Sequence, residues 1–250
     1  MAEKVKVEFE LKLGEKGIHA ALTVPGEPVP ARRMLPLFQG LADQVVGVAV
    51  AEVEQAGREV SCKAGCGACC RQVVPLSRTE AHQIRALVDA MPEPRRVQIR
   101  RRFADGVARL EAAGLLDEVR GFDLLPETPF HALHWRYLAL RIPCPFLEDE
   151  ACSIHPHRPL ICREYLVTSS PEHCVDATPG AVRLVQMPAL VSFGVLKLEG
   201  TDASDSRVAL SLALEWTDAH ADTEDQQLRP PVEWIDMMLE GMTGAPTRKE

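Results

Sequence analysis

Over residues 5–13 apolar and charged side chains alternate, with Val5, Val7, Phe9 and Leu11 separated by Lys6, Glu8 and Glu10. A period of two predicts a half-buried strand. Residues 14–17 read as a turn and 18–24 as a returning strand, so the N-terminus is expected to be a hairpin. Pro25, Pro28 and Pro30 stiffen a connector, after which the period changes: Phe38, Leu41, Val45 and Val48 recur at helical steps over 34–55. Ser77-Arg-Thr-Glu80 is a capping box, whose two side chains satisfy the first free amides of a helix with Ile84, Leu87 and Val88 inward, stopped by Pro92. The next helix is expected from Pro94, with Ile99, Phe103, Val107 and Leu110 on one side and Gly114 as its stop signal. Its other face carries Arg95, Arg96, Arg100, Arg101 and Arg102 and reads as solvated. A short helix over 129–140 turns Leu133, Tyr137 and Leu140 inward before Pro143 and Pro145 force irregular chain. Beyond Ala181 helices are expected at 206–219 and 231–239, and no repeat or low-complexity segment is present.

The pattern predicts a mainly α member of the α+β class: an N-terminal β-hairpin, then helices, with proline-rich cysteine loops forming a metal site. Residues 1–180 are expected to form a cysteine-cluster domain that includes the hairpin and first helix. Residues 181–250 form a helical C-terminal region that either completes that domain or is appended to it.

Composition narrows the partners. A chain of 250 residues can bury a core without disulfides. A net charge of -8 argues against broad affinity for nucleic acid or an anionic membrane, and 5% aromatic residues argue against a base-stacking platform. The N-terminal residues lack an apolar stretch of signal-peptide length, and the most apolar later stretch, 187–196, is flanked by Arg183 and Lys197 and is about half the length of a membrane span. A cytoplasmic protein without a membrane span is expected. Eight cysteines in a reducing compartment then point to metal ligands, redox thiols or a nucleophile.

Those cysteines are clustered. Cys62-Lys-Ala-Gly-Cys66-Gly-Ala-Cys69-Cys70 is followed by Cys144, Cys152, Cys162 and Cys174. Short spacings let thiolates converge on one ion, and Gly65 and Gly67 give such a knuckle its backbone freedom. Neighbouring Cys69 and Cys70 do not readily reach one tetrahedral ion together, so one of them serves a second ion or bridges two. Prolines 143, 145, 156 and 159 present the later cysteines from stiff loops.

The Cys-x3-Cys-x2-Cys-Cys cluster, followed by Cys144-Pro-Phe-Leu147 and then Cys152-x-Ile154-x-x-x-Arg158-Pro159-x-x-Cys162-Arg163, resembles the YkgJ-type cysteine-cluster family of zinc- or iron-chelating domains. The resemblance implies metal-site candidates at Cys62, Cys66, Cys69, Cys70, Cys144, Cys152 and Cys162, with Cys174 added as an eighth. The bound metal is expected to be zinc or iron, mononuclear or iron–sulfur. The chain departs from the family in having His155 where a Tyr is usual, and His155 is expected to replace that ring in packing rather than to ligate. His131, His134, His157 and His173 are likewise left outside the ligand set. Lys63, Arg71, Arg158 and Arg163 adjoin the ligands and are candidates to offset thiolate charge, Arg163 first because it belongs to the motif.

Two function classes follow. The chain is a metal-binding module for storage, delivery or folding; the alternative is an iron–sulfur or S-adenosylmethionine-dependent modifying enzyme similar to flagellin lysine N-methylase. No glycine-rich loop after a strand supplies a nucleotide-binding turn. Ala68 stands where radical S-adenosylmethionine enzymes usually have an aromatic residue, and no repeated strand–helix pattern predicts their barrel. A thioredoxin-like context for Cys66-x2-Cys69 is also missing.

Overall fold

The computed structural model describes residues 4–13, 16–176, 180–199, 207–221 and 227–243. Strands β1 (Lys4–Leu13) and β2 (Lys16–Pro25) form the expected antiparallel hairpin, with Leu11 opposite Ile18; Gly14 and Glu15 of the expected turn lie outside the described residues. Alternate positions Val7 and Leu11 are buried, which follows from the pleat. After β3 (Val29–Pro30) a single 3-10 turn leads into α1 (Leu35–Gln55). Then come β4 (Pro75–Ser77), α2 (Arg78–Asp89), α3 (Glu93–Ala112), α4 (Leu116–Arg120) and α5 (Glu127–Ala139). The later cysteines lie around a two-residue-per-strand hairpin, β5 (Leu147–Glu148) and β6 (Ala151–Cys152), followed by α6 (Leu160–Glu164) and α7 (Glu172–Val175). The chain closes with α8 (Val191–Leu196), β7 (Arg207–Ala209), α9 (Ala213–Ala219), β8 (Leu228–Arg229) and α10 (Pro231–Thr243). The protein is mainly α with small antiparallel sheets.

One core joins the N-terminal hairpin, the Leu35–Phe38–Leu41–Val45 stripe of α1, Leu160 of α6, and Val191, Val195, Trp234 and Met238 of α8 and α10. The indole of Trp234 donates to the Val29 carbonyl at 2.7 Å. Helices α8 and α10 cross at glycines: a Cβ on Gly194 would meet the Met238 carbonyl oxygen at 2.4 Å, so this contact excludes any larger residue. Together with the 3-10 turn before it, α1 runs over Ala31–Gln55 and is long and apolar enough to cross a membrane by length and composition, a feature the sequence reading did not single out. Here its apolar stripe is spent on the core, and its Asp43 pairs with Arg163.

A second core packs α2, α3, β7 and α9 around Phe103 and Phe146, whose rings meet edge-on at 5.7 Å. The capping box forms as the sequence spells it: the Glu80 amide donates to Ser77 Oγ at 3.1 Å, and the Ser77 amide donates to Glu80 Oε2 at 3.1 Å. Both residues are buried. Ser77→Ala removes the cap acceptor and one partner of a buried carboxylate, and should lower stability by about 1 kcal/mol in chemical denaturation. A midpoint equal to the parent protein's would contradict that cap.

The structure revises two expectations. Of the helix expected over 206–219, Ser206 lies outside the described residues, and Arg207–Ala209 is instead strand β7 pairing with β4, because Pro75–Ser77 offers a free edge far away in the chain. The arginine face of α3 is not simply solvated: Arg95 and Arg102 both pair with Glu148 of β5, the latter at 2.7 Å, so this helix docks the cysteine hairpin.

Candidate metal centre

The first cysteine loop is a run of tight turns, with backbone hydrogen bonds from Cys66 to Lys63, from Cys70 to Gly67 and from Gln72 to Cys69. Gly65 has φ +85°, a left-handed backbone that suits glycine. Gly67 answers a different need. A Cβ there would meet the Glu150 carbonyl oxygen and Leu147 Cδ1, both at 2.5 Å, so the absence of a side chain lets the first loop lie against the second.

The second loop is shaped to receive it. Leu147 pairs with Cys152 across a two-residue turn in which Asp149 and Glu150 both have positive φ, +47° and +57°. Such turns match the twist of a hairpin but cost side-chain-bearing residues energy. Arg71 holds this turn, with hydrogen bonds to both Glu150 oxygens at 3.0 and 2.5 Å and to the Gly67 carbonyl at 3.3 Å. The Cys144 amide donates to the Cys70 carbonyl at 2.7 Å, joining the two cysteine groups directly. Phe146, fully buried, anchors the hairpin; its carbonyl accepts from both the amide and the hydroxyl of Ser153 at 2.9 Å.

A third segment completes the enclosure. The Ser61 amide donates to the Val167 carbonyl at 2.9 Å, and the Val167 amide donates to Cys62 Sγ at 3.4 Å. Gln72 Nε2 reaches the Tyr165 hydroxyl at 3.4 Å and the Cys174 carbonyl at 3.5 Å. Behind these loops Glu80 accepts the Leu160 amide at 2.8 Å. Glu164 accepts the Val191 and Ser192 amides at 2.7 and 3.2 Å and the Ser192 hydroxyl at 2.5 Å; burial pushes its pKa up to about 7. These two carboxylates fix both ends of α6, which carries Cys162.

The thiols form one electrostatic neighbourhood. Cys69 is the charge that Cys62, Cys70, Cys144, Cys152, Cys162 and Cys174 all feel. Cys66 joins through Cys62 and Cys174. Burial pushes Cys144 up to about 12 and Cys174 up to about 11, and it also raises Cys62, Cys152 and Cys162. The Cys70 thiol donates to the Cys69 sulfur, which favours the thiolate at Cys69 and disfavours it at Cys70. Apart from Cys69, partly buried and mutually repelling thiols favour the protonated form, and a cation that replaces the protons offsets the repulsion. The donor chemistry therefore suits zinc or iron. Among the described residues no three His, Cys, Asp or Glu side chains sit at ion-holding distances, so the loops bring the thiols near one another without forming a coordination shell.

All eight cysteines read from the sequence lie in this neighbourhood. The cations do not follow the expected ranking. Arg163 is turned away from the thiols: its guanidinium binds both Asp43 oxygens at 2.9 Å and the carbonyls of Pro156 and Arg158 at 2.6 and 3.1 Å, pinning the loop to α1. Arg158 is the cation that favours the thiolates of Cys62, Cys69 and Cys152, and its buried Nε has no hydrogen-bond partner. The signal for it was the Arg-Pro within the second motif. Arg71 serves the Glu150 turn, and Lys63 is exposed. His155 is exposed rather than packed in place of a ring, because the turn Ile154 opens aims it outward. His157 and His131 are exposed too, and His173 Nδ1 lies 3.1 Å from the Ala181 carbonyl.

Residues 61–178 match the family model CxxCxxCC, described as "Putative zinc- or iron-chelating domain". No curated protein and no solved structure matches the chain.

Proposed function

With residues 61–178 matching the CxxCxxCC family as the premise, we propose that this protein binds zinc or iron through Cys62, Cys66, Cys69, Cys70, Cys144, Cys152, Cys162 and Cys174, in a reducing compartment such as the cytoplasm. The observation that carries this reading is that Cys62, Cys144, Cys152, Cys162 and Cys174, from three chain segments, all lie within electrostatic reach of the Cys69 thiol beside Cys70. When bound, the metal supplies cross-linking of these loops, and an iron–sulfur form supplies electron transfer as well. The chain's own residues do the rest. Gly67 permits the close approach, Phe146 and Arg71 hold the hairpin, and Arg158 offsets thiolate charge. Iron or mixed occupancy is the reading favoured here, because eight thiols exceed what one closed zinc requires and vicinal cysteines suit a multinuclear centre.

The test is iron, zinc and sulfide analysis of untagged protein purified without air, with an absorption spectrum and thiol titration before and after a chelator. Bound metal, visible absorption and thiols that become reactive only after chelation are expected. Colourless protein with stoichiometric zinc would overturn the preference for iron. Eight freely reactive thiols with no metal would overturn the metal-binding reading itself.

A further inference from the structure

Strand β1 contains the run Lys4-Val5-Lys6-Val7-Glu8-Phe9-Glu10, and among the described residues it pairs with β2 alone. Helix α1 lies against β2, which leaves β1 as the outer strand of the hairpin. A strand with an open edge presents a row of unpaired amides and carbonyls, and a two-stranded sheet gains by adding strands. Val7 and Leu11 turn inward and are buried, and Phe9 is partly so, but Val5 stays 45% exposed. Between them Lys6 and Glu8 turn outward, 67% and 50% exposed, and pair within the strand at 2.5 Å.

The order of charges along the strand selects a partner. At alternate positions Lys4, Lys6, Glu8 and Glu10 run plus, plus, minus, minus, so the segment is its own complement when read in the opposite direction. An antiparallel copy centred on Val7 sets Lys6 opposite Glu8 and Lys4 opposite Glu10, each twice by symmetry. The same register sets the exposed Val5 of each copy opposite Phe9 of the other. Centring on Lys6 or on Glu8 instead would put two like charges on the axis. Strand β2 offers no such pattern: its residues paired with Lys6, Glu8 and Glu10 are Thr23, Ala21 and His19. We propose that the outer edge of β1 is the surface through which two copies of this chain associate, antiparallel and centred on Val7, into one four-stranded sheet. Charges on an edge strand ordinarily oppose pairing; here their order opposes other strands and other registers while favouring this one. The pairing involves no cysteine and so stands apart from the metal-binding reading.

The experiment is sedimentation equilibrium of the full-length chain, kept reduced, over a range of micromolar concentrations in low and high salt. A monomer–dimer equilibrium that salt weakens is expected. Lys6→Glu and Glu8→Lys each turn both Lys6–Glu8 contacts between copies into like-charged ones, and each should weaken dimerisation about tenfold. The double variant Lys6→Glu/Glu8→Lys restores opposite charges in the same register and should recover the parent's dimerisation. Zero-length carbodiimide cross-linking of mixed isotope-labelled and unlabelled chains supplies a second readout: a labelled peptide joined to an unlabelled one through Lys6 and Glu8 is expected, which the pair within one strand cannot produce. Should a variant lose the parent's melting transition, the cross-link in the parent chain decides. A parent chain that stays monomeric, dimerisation that both single variants leave unchanged or that the folded double variant does not recover, or cross-links between copies that omit this pair would each overturn the proposed interface.

Discussion

Phe146→Ala should lower the stability of the protein by about 4 kcal/mol, the cost of emptying a fully buried aromatic site that its neighbours cannot refill. For a chain of this length that is a fall in melting temperature of about 10 °C. The ring lies between Cys144 and Cys152 in the chain and packs edge-on against Phe103 of α3, so it is the apolar peg by which the cysteine hairpin is fixed to the helical core. Its loss should therefore weaken retention of metal by the later cysteines as well as lower the melting temperature. Phe146→Leu, which keeps most of the volume, should cost about 1 kcal/mol and retain metal. A Phe146→Ala protein that melts within 2 °C of the parent, roughly the shift of a 1 kcal/mol change, would show that the hairpin is held by its hydrogen bonds and ion pairs alone.

Gly67→Ala is the second large effect, at about 3 kcal/mol, because the new methyl group would stand 2.5 Å from a backbone oxygen and from a side chain of the facing hairpin. Leu147 Cδ1 is the end of a side chain and can turn aside, but the Glu150 carbonyl is backbone, in a tight turn whose side chain Arg71 binds, and cannot yield without moving the hairpin. The two cysteine loops would have to separate, so metal content should fall along with stability. Gly65 provides the contrast. Its Cβ would meet nothing within 4 Å, and its φ of +85° is a demand on backbone alone, so Gly65→Asn should retain metal with a cost of about 1 kcal/mol. Equal metal content in Gly67→Ala and the parent protein would rule out close approach of the loops as a condition for binding.

Side-chain periodicity alone located the hairpin, α1, α2 and α3, because each buries one face whose spacing matches its own geometry: two for the pleat, three to four for the helix. The capping box was equally local, needing only Ser77 and Glu80 three residues apart. Candidate ligands were legible for a chemical reason, since clustered thiols in a chain with an ample core have few other uses. What the sequence could not contain is whatever depends on which distant segments meet. Strand β7 exists because Arg207–Ala209 found the edge of Pro75–Ser77, and local propensity alone favoured a helix there. Glu80 is an N-cap partner in the local reading, but its second oxygen holds the Leu160 amide eighty positions away. Arg163, prominent in the motif, is committed to Asp43 of α1, and Arg158 turns to the thiols in its place. Gly67 looked like a flexible joint, and only the facing hairpin reveals it as a point of contact. Identity and spacing of the candidate donors are written along the chain; which of them come near one another is decided by the tertiary contacts that bring three segments to one vicinal pair.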